Sequence, residues 1–203
     1  MPRPPHGDDG GLPDKAELDR CRRCDLGARA TQAVPGEGPR HAPVMLVGEQ
    51  PGDVEDQEGR PFVGPSGRLL RQLMAEAGMG ERDAYITNAV KHFSFELRGK
   101  RRIHKTPAQR EIAACHAWLE AEIAAVRPHV IVALGATALR ALVGRAMTIV
   151  AAAAAPPRHA SGAVIVATFH PSAVLRAPDP ARRTAMRENL RAALERALAM
   201  ART

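Results

Sequence analysis

The stretch PVMLVGEQPGD, residues 43–53, decides the fold. Its first half is a short, unbroken apolar run, the pattern of a parallel strand covered on both faces. Its second half is a polar loop punctuated by Gly48, Pro51 and Gly52 that carries Glu49, Gln50 and Asp53. Three further runs repeat the pattern at Ala84 to Val90, His129 to Leu134 and Ala163 to Phe169. Between them and after the last lie longer stretches that read as helices, at Ser66 to Gly78, Thr106 to Val126, Gly135 to Val143 and Pro180 to Ala201. Thr106-Pro107 reads as an N-cap with proline at the first helical position. Strands alternating with crossover helices predict an α/β fold, three layers of α/β/α around a central four-stranded parallel sheet. In such a sheet the ligand site lies beyond the carboxyl ends of the strands.

Composition bounds the rest. The chain has 203 residues, 45% of them hydrophobic and 25% charged, which suits one folded domain over residues 16–203 behind a Pro- and Gly-rich tail at residues 1–15, expected to be disordered. No apolar run approaches the roughly 20 residues of a membrane span, and residues 1–15 have no apolar core for a secretion signal. The expected location is therefore the bacterial cytoplasm, without membrane contact. Lys and Arg number 29 against 22 Asp and Glu, a formal +7 that favours polyanionic partners. Four Phe, one Tyr and one Trp are too few for a broad base-stacking platform, so any aromatic contact must come from a single well-placed ring.

Four polar loops fall at the same sheet edge: Gly48 to Asp56 with Gly59 to Gly67, Asn88 and the basic run Lys100 to Lys105, and His170-Pro171-Ser172. Alone, each reads as a solvated loop whose glycines serve turns, and a histidine inside a Lys/Arg run is usually part of a basic patch. Their convergence is what points to chemistry, because they bring Glu, Asp, Asn and His together.

Three cysteines are too few for a disulfide framework. Cys21 and Cys24 form a C-x-x-C pair that precedes the first strand by about twenty residues, which fits a redox dithiol poorly. Zinc, an iron–sulfur cluster and two plain thiols remain open on local grounds.

GEQPG (48–52), PFVGPSG (61–67), ITNAVK (86–91) and FHPS (169–172), in this order, resemble the uracil-DNA glycosylase superfamily, in particular its iron–sulfur family 4 branch. The resemblance spans about residues 16 to 200. The pair Glu49-Gln50 and the inserted KRRIHK at Lys100 to Lys105 are similar to UdgX, the branch that traps itself covalently on uracil-containing DNA.

The resemblance implies a 4Fe–4S cluster held by Cys21, Cys24, His92 and Cys115, although zinc in a Cys3His shell fits the same residues. It implies a uracil pocket in which Phe62 stacks on the base, Asn88 reads the O4 and N3–H edge, Gly48 allows close approach, and Gln50 with neighbouring amides completes the walls. His170 would stabilise the departing uracil oxygen. His104 would attack the sugar, since a free imidazole, with a pKa of about 6.5, is mostly neutral and nucleophilic at pH 7. Glu49 would orient that imidazole or take its proton, and Asp53 on the same loop counts with it among the catalytic candidates. Lys100, Arg101, Arg102 and Lys105, with Ser172 and Arg176, would meet DNA.

The function so implied is excision of uracil from DNA, with single strands preferred, ending in a link between sugar and His104, by a monomer acting in DNA repair. A conventional turnover glycosylase is the alternative, and a non-catalytic iron–sulfur DNA-binding module a second. Glu49, Asn88 and His170 together argue against the second, since a mere binder has no use for a leaving-group donor. The segment Ala151 to Pro157 departs from relatives and is expected to be irregular.

Overall fold

The computed structural model describes residues 11–203, so most of the tail expected at residues 1–15 lies outside the described residues. Two short helices, α1 (Lys15–Asp19) and α2 (Leu26–Arg29), lead to strand β1 (Val44–Gly48). Then come α3 (Asp53–Glu58), α4 (Pro65–Glu76), β2 (Ala84–Asn88) and a pair of short strands, β3 (Phe95–Arg98) and β4 (Arg101–His104). The chain continues through α5 (Gln109–Val126), β5 (Val130–Leu134), α6 (Ala136–Val143), α7 (Ile149–Ala154), β6 (Val164–Thr168), α8 (Pro171–Leu175) and α9 (Pro180–Ala201).

The main sheet has the order β2-β1-β5-β6, all parallel, with Val44 beside Ala84 on one side and Val130 on the other. Residues of β1, β2 and β5 are buried throughout, which explains why these strands read as continuous apolar runs. Their side chains alternate between two cores. Met45, Val47, Ile131 and Ala133 pack with Trp118 and Leu119 of α5 and Leu139 of α6. Val44, Leu46, Val130 and Val132 pack with Leu70 and Leu73 of α4 and Leu190 and Leu194 of α9. The result is the expected three-layer α/β/α fold. Among the described residues no helix is long and apolar enough to cross a membrane.

Three local expectations are corrected. The helix expected from Thr106 begins at Gln109. The Lys105 N–H donates to the Ser94 carbonyl at 3.0 Å, and the Lys105 carbonyl accepts from Gln50, so the chain is held outside the helix until Ala108, whose N–H is capped by Glu111 at 2.7 Å. The segment expected to be irregular at Ala151 to Pro157 is helical as far as Ala154. Alanine has the highest helix propensity, Thr148 caps the Ala151 N–H at 3.1 Å, and Ala152 is fully buried. The basic run is not a loop but half of an antiparallel hairpin with Phe95 opposite His104. Gly99, at φ 61°, opens the two-residue turn between its strands, a position where a left-handed residue matches the strand twist.

Candidate active site

A cleft of about 790 Å³ opens at the carboxyl edge of the sheet, and Glu49, Phe62, Asn88, His104 and His170 all line it. Each arrives on a different segment. Glu49 follows β1, Asn88 ends β2, His104 ends the β3–β4 hairpin, and His170 follows β6 as the N-cap of α8. The floor is tight. A Cβ on Gly48 would lie 2.4 Å from Asn88 Oδ1 and 2.5 Å from the Phe62 ring, so only glycine fits between them. Asn88 is buried and its Oδ1 has no hydrogen-bond partner within the chain. A buried amide oxygen left unpaired is costly, and Asn88 belongs to the lining of the cleft.

Phe62 is held in a left-handed backbone conformation at φ 53°, and its ring lies 5.9 Å from the His170 imidazole. Its carbonyl folds over the start of α4 so closely that a Cβ on Gly67 would sit 1.8 Å from it. Glu55 fixes the same wall, accepting the N–H groups of Gly52 at 3.1 Å and Gly64 at 2.8 Å.

The two histidines differ in state and setting. His170 Nδ1 accepts from the Ser172 N–H at 3.1 Å and lies 2.8 Å from its hydroxyl. Burial, only partly offset by Glu49, pushes its pKa down to about 4, so the ring is neutral at pH 7. With Nδ1 engaged as acceptor, the single ring proton belongs on Nε2, a donor ready for an oxygen in the cleft. His104 is half exposed, with Nε2 3.3 Å from Glu49 Oε1. Glu49 also accepts from the Thr137 hydroxyl at 2.5 Å. Burial raises the Glu49 carboxyl, but the hydrogen bonds from His104 and Thr137, reinforced by each imidazole when it is protonated, outweigh it and hold the group below its ordinary value.

Several residues expected to face the ligand are engaged elsewhere. Gln50 lines the cleft, and its amide donates to the carbonyls of Ser94 at 3.1 Å and Lys105 at 3.0 Å and accepts the Ser94 N–H at 2.9 Å, so the side chain clamps the hairpin with both amide protons engaged. Arg102, expected to meet phosphate, lies 2.6 Å from both Asp53 and Asp56 and stacks over Phe93 and Phe95. Arg102 is thereby paired with two carboxylates, while Asp53 still lines the cleft. Ser172 is half-buried against His170. Lys100, Arg101, Lys105 and Arg176 are exposed and unburdened by such contacts.

The family model that describes the uracil DNA glycosylase superfamily matches residues 35–195. The chain belongs to the uracil-DNA glycosylase superfamily. It is 41% identical over 158 residues to the type-4 uracil-DNA glycosylase of Thermotoga maritima, a match covering 77% of this chain and 79% of that protein. The type-4 enzyme of Pyrobaculum aerophilum is 38% identical over 168 residues, covering 79% and 82% of the two chains. The type-4 enzyme of Saccharolobus solfataricus is 41% identical over 120 residues, covering 59% of this chain but only 52% of its own.

Within this superfamily member, the expected cluster ligands approach one another behind the sheet. Cys115 is buried, and burial pushes its thiol up to about 12, with Cys24 and Cys21 adding to the effect through their charge. Cys21 Sγ accepts from the Trp118 indole at 3.4 Å, and Cys115 Sγ accepts from the Lys91 N–H at 3.2 Å. His92 is buried with Nε2 unpaired, and a Cβ on Gly27 would touch both Cys21 and the His92 ring. Among the described residues no three such side chains converge tightly enough to hold a single ion. Three thiols and an orphaned imidazole nitrogen nevertheless form a donor set that suits a cluster spanning wider ligands.

Sequence reasoning missed Thr137, Glu55, and the buried pair Lys91 and Glu122. Thr137 lies in the helix expected at Gly135 to Val143, but nothing in the sequence said that it reaches Glu49.

Proposed function

We propose that this chain excises uracil from DNA and ends the reaction covalently bound to the sugar through His104, in the manner of the UdgX branch. The observation that carries the reading is the half-exposed His104 imidazole, set 3.3 Å from the Glu49 carboxylate on the rim of the same cleft that holds Asn88, Phe62 and His170.

A uracil turned out of the stack enters between Phe62 and the floor at Gly48, a step that costs least from single-stranded DNA, the preferred substrate. Asn88 Oδ1 accepts the N3–H and the amide NH2 donates to O4, a polarity that cytosine reverses. As the C1′–N1 bond breaks, its electron pair leaves with uracil, and the His170 Nε2–H stabilises the oxygen on which that charge develops. A lone pair of the His104 ring forms the new bond to C1′, and the ring proton passes to Glu49, whose carboxyl is held ionised. An N-glycosyl imidazole hydrolyses slowly, so turnover stops there. Lys100, Arg101, Lys105 and Arg176 contact phosphates, and the protein acts as a monomer in repair.

Cys21, Cys24, His92 and Cys115 would hold a 4Fe–4S cluster, which supplies a structural anchor for the N-terminal segment. Visible absorbance that disappears in Cys115→Ser, without zinc in its place, tests that assignment.

A second reading, a turnover enzyme in which Glu49 positions water, is favoured by the type-4 glycosylases at 38 and 41% identity. Denaturing electrophoresis with a labelled uracil-containing oligonucleotide, a thymine control and His104→Ala separates the two. A heat-stable slow band with uracil only, lost in the variant, supports the covalent reading. Alkali-labile sites formed with turnover and no band leave the conventional enzyme.

A further inference from the structure

Lys91 and Glu122 are both fully buried, with Nζ 2.6 Å from the carboxylate, and no step of the proposed reaction uses either. The three protons of the ammonium are taken by Glu122 Oε2 at 2.6 Å, the Thr87 hydroxyl oxygen at 2.7 Å and the Asn88 carbonyl at 2.8 Å. Glu122 also accepts from the Thr87 hydroxyl at 2.7 Å and from the Gly36 N–H at 2.9 Å. Burial and the same carboxylate drive the neighbouring Tyr85 phenol far above its ordinary pKa. Every member of the network is satisfied.

A buried ion pair is a poor device for stability, since apolar residues of the same volume often serve as well or better. What this one controls is the end of β2. Asn88 is the last residue of that strand, and its carbonyl is the third contact of the ammonium. The next two peptides are already tied, Ala89 N–H to Gly48 O at 2.9 Å and Val90 N–H to Glu49 O at 3.0 Å. The main chain of Lys91 closes the turn, donating to Cys115 Sγ and accepting from Val34 N–H at 2.8 Å. With its peptide pinned on both sides, Asn88 has little freedom, and its unpaired Oδ1 stays aimed at the floor between Gly48 and Phe62.

We infer that Lys91 and Glu122 are a positioning pair for Asn88: by holding the Asn88 peptide they set how the base edge is read and how fast the base departs, while contributing little to stability. The inference rests on the reading that Asn88 meets uracil.

The test is the double variant Lys91→Met/Glu122→Leu, which removes both charges and keeps the volume. The single variant Lys91→Met, in which Glu122 can take up a proton and keep its bonds to Gly36 and Thr87, serves as a second. Four quantities are read on the full chain: melting temperature, affinity for a uracil-free single strand, inhibition by free uracil, and the single-turnover rate of uracil release. We expect the double variant to melt close to wild type and to bind uracil-free DNA equally well, while free-uracil inhibition weakens and release slows by roughly 10- to 100-fold. Wild-type release and inhibition in a well-folded variant overturn the proposal, and so does a loss of all four quantities in step, which marks the pair as plain structure. A wild-type protein that neither releases nor binds uracil removes the glycosylase reading itself, and the positioning role falls with it.

Discussion

His104 and Glu49 meet across 3.3 Å although they belong to separate units, one ending the β3–β4 hairpin and the other following the first strand of the main sheet. The pairing therefore reports how the hairpin is docked. Its base is clamped by Gln50, and two guanidinium groups stack on Phe95, Arg29 at 5.1 Å and Arg102 at 5.2 Å. A nucleophile on the tip of a free loop would pay far more orientational entropy for each attack.

Replacing Glu49 by Gln keeps the shape and the hydrogen bond but removes the proton acceptor. Adduct formation in Glu49→Gln should slow by roughly 10²- to 10⁴-fold, the usual contribution of general base catalysis, with DNA affinity unchanged. Quenched-flow sampling followed by denaturing gels measures it, and a rate within a few-fold of wild type removes the base role from Glu49.

His170 gives the protein an acid limit. Its pKa is pushed down from 6.5 to about 4 by burial, so between those values the unfolded chain binds a proton that the folded one refuses. The stability so contributed is complete above about pH 6.5 and is lost as pH falls towards 4, at up to ~1.4 kcal/mol per pH unit. Urea titrations at several pH values should show this slope in wild type and a shallower one in His170→Gln. Equal slopes would mean that His170 is solvated in the folded state.

The basic residues of the hairpin divide into two kinds. Lys100→Ala and Arg101→Ala should each weaken DNA binding and reduce the salt slope by about 0.7 for single strands. Arg102→Ala, whose partners are Asp53 and Asp56, should leave the salt slope intact, lower the melting temperature and slow adduct formation. Binding measured from low to moderate salt distinguishes them. A slope change for Arg102→Ala equal to that of Lys100→Ala would place it on phosphate after all.

Gly48→Ala tests the floor of the cleft. The new methyl group would fall 2.4 Å from Asn88 Oδ1 and 2.5 Å from the Phe62 ring. Calorimetric titration with free uracil should show binding reduced at least tenfold, with affinity for uracil-free DNA retained. Unaltered uracil binding would show that the base sits elsewhere.

The parallel sheet was legible because its strands are buried on both faces and so appear as unbroken apolar runs, Val44 to Val47 and Val130 to Leu134 among them. The hairpin was not, since each of its strands is only four residues long and carries two charged residues. Motif position brought Glu49, Asn88, His104 and His170 to one edge correctly as candidates, but it says nothing about partners. Gln50 and Asp53 sit in the motifs and line the cleft, but Gln50 also ties down Ser94 and Lys105 and Asp53 pairs with Arg102, contacts that no motif announces. Lys91 and Glu122 are 31 positions apart, and only the packing of α5 against the end of β2 makes them a pair.

The left-handed backbone of Phe62 is held in place by the burial of its ring. A non-glycine residue at φ 53° stores roughly 1–3 kcal/mol. The ring is nevertheless buried in the core beside Leu70 and Leu73, and deleting a buried phenylalanine side chain costs roughly 3–5 kcal/mol. Glycine would relax the backbone and still melt earlier, so screening for robustness and screening for activity should both keep the aromatic ring.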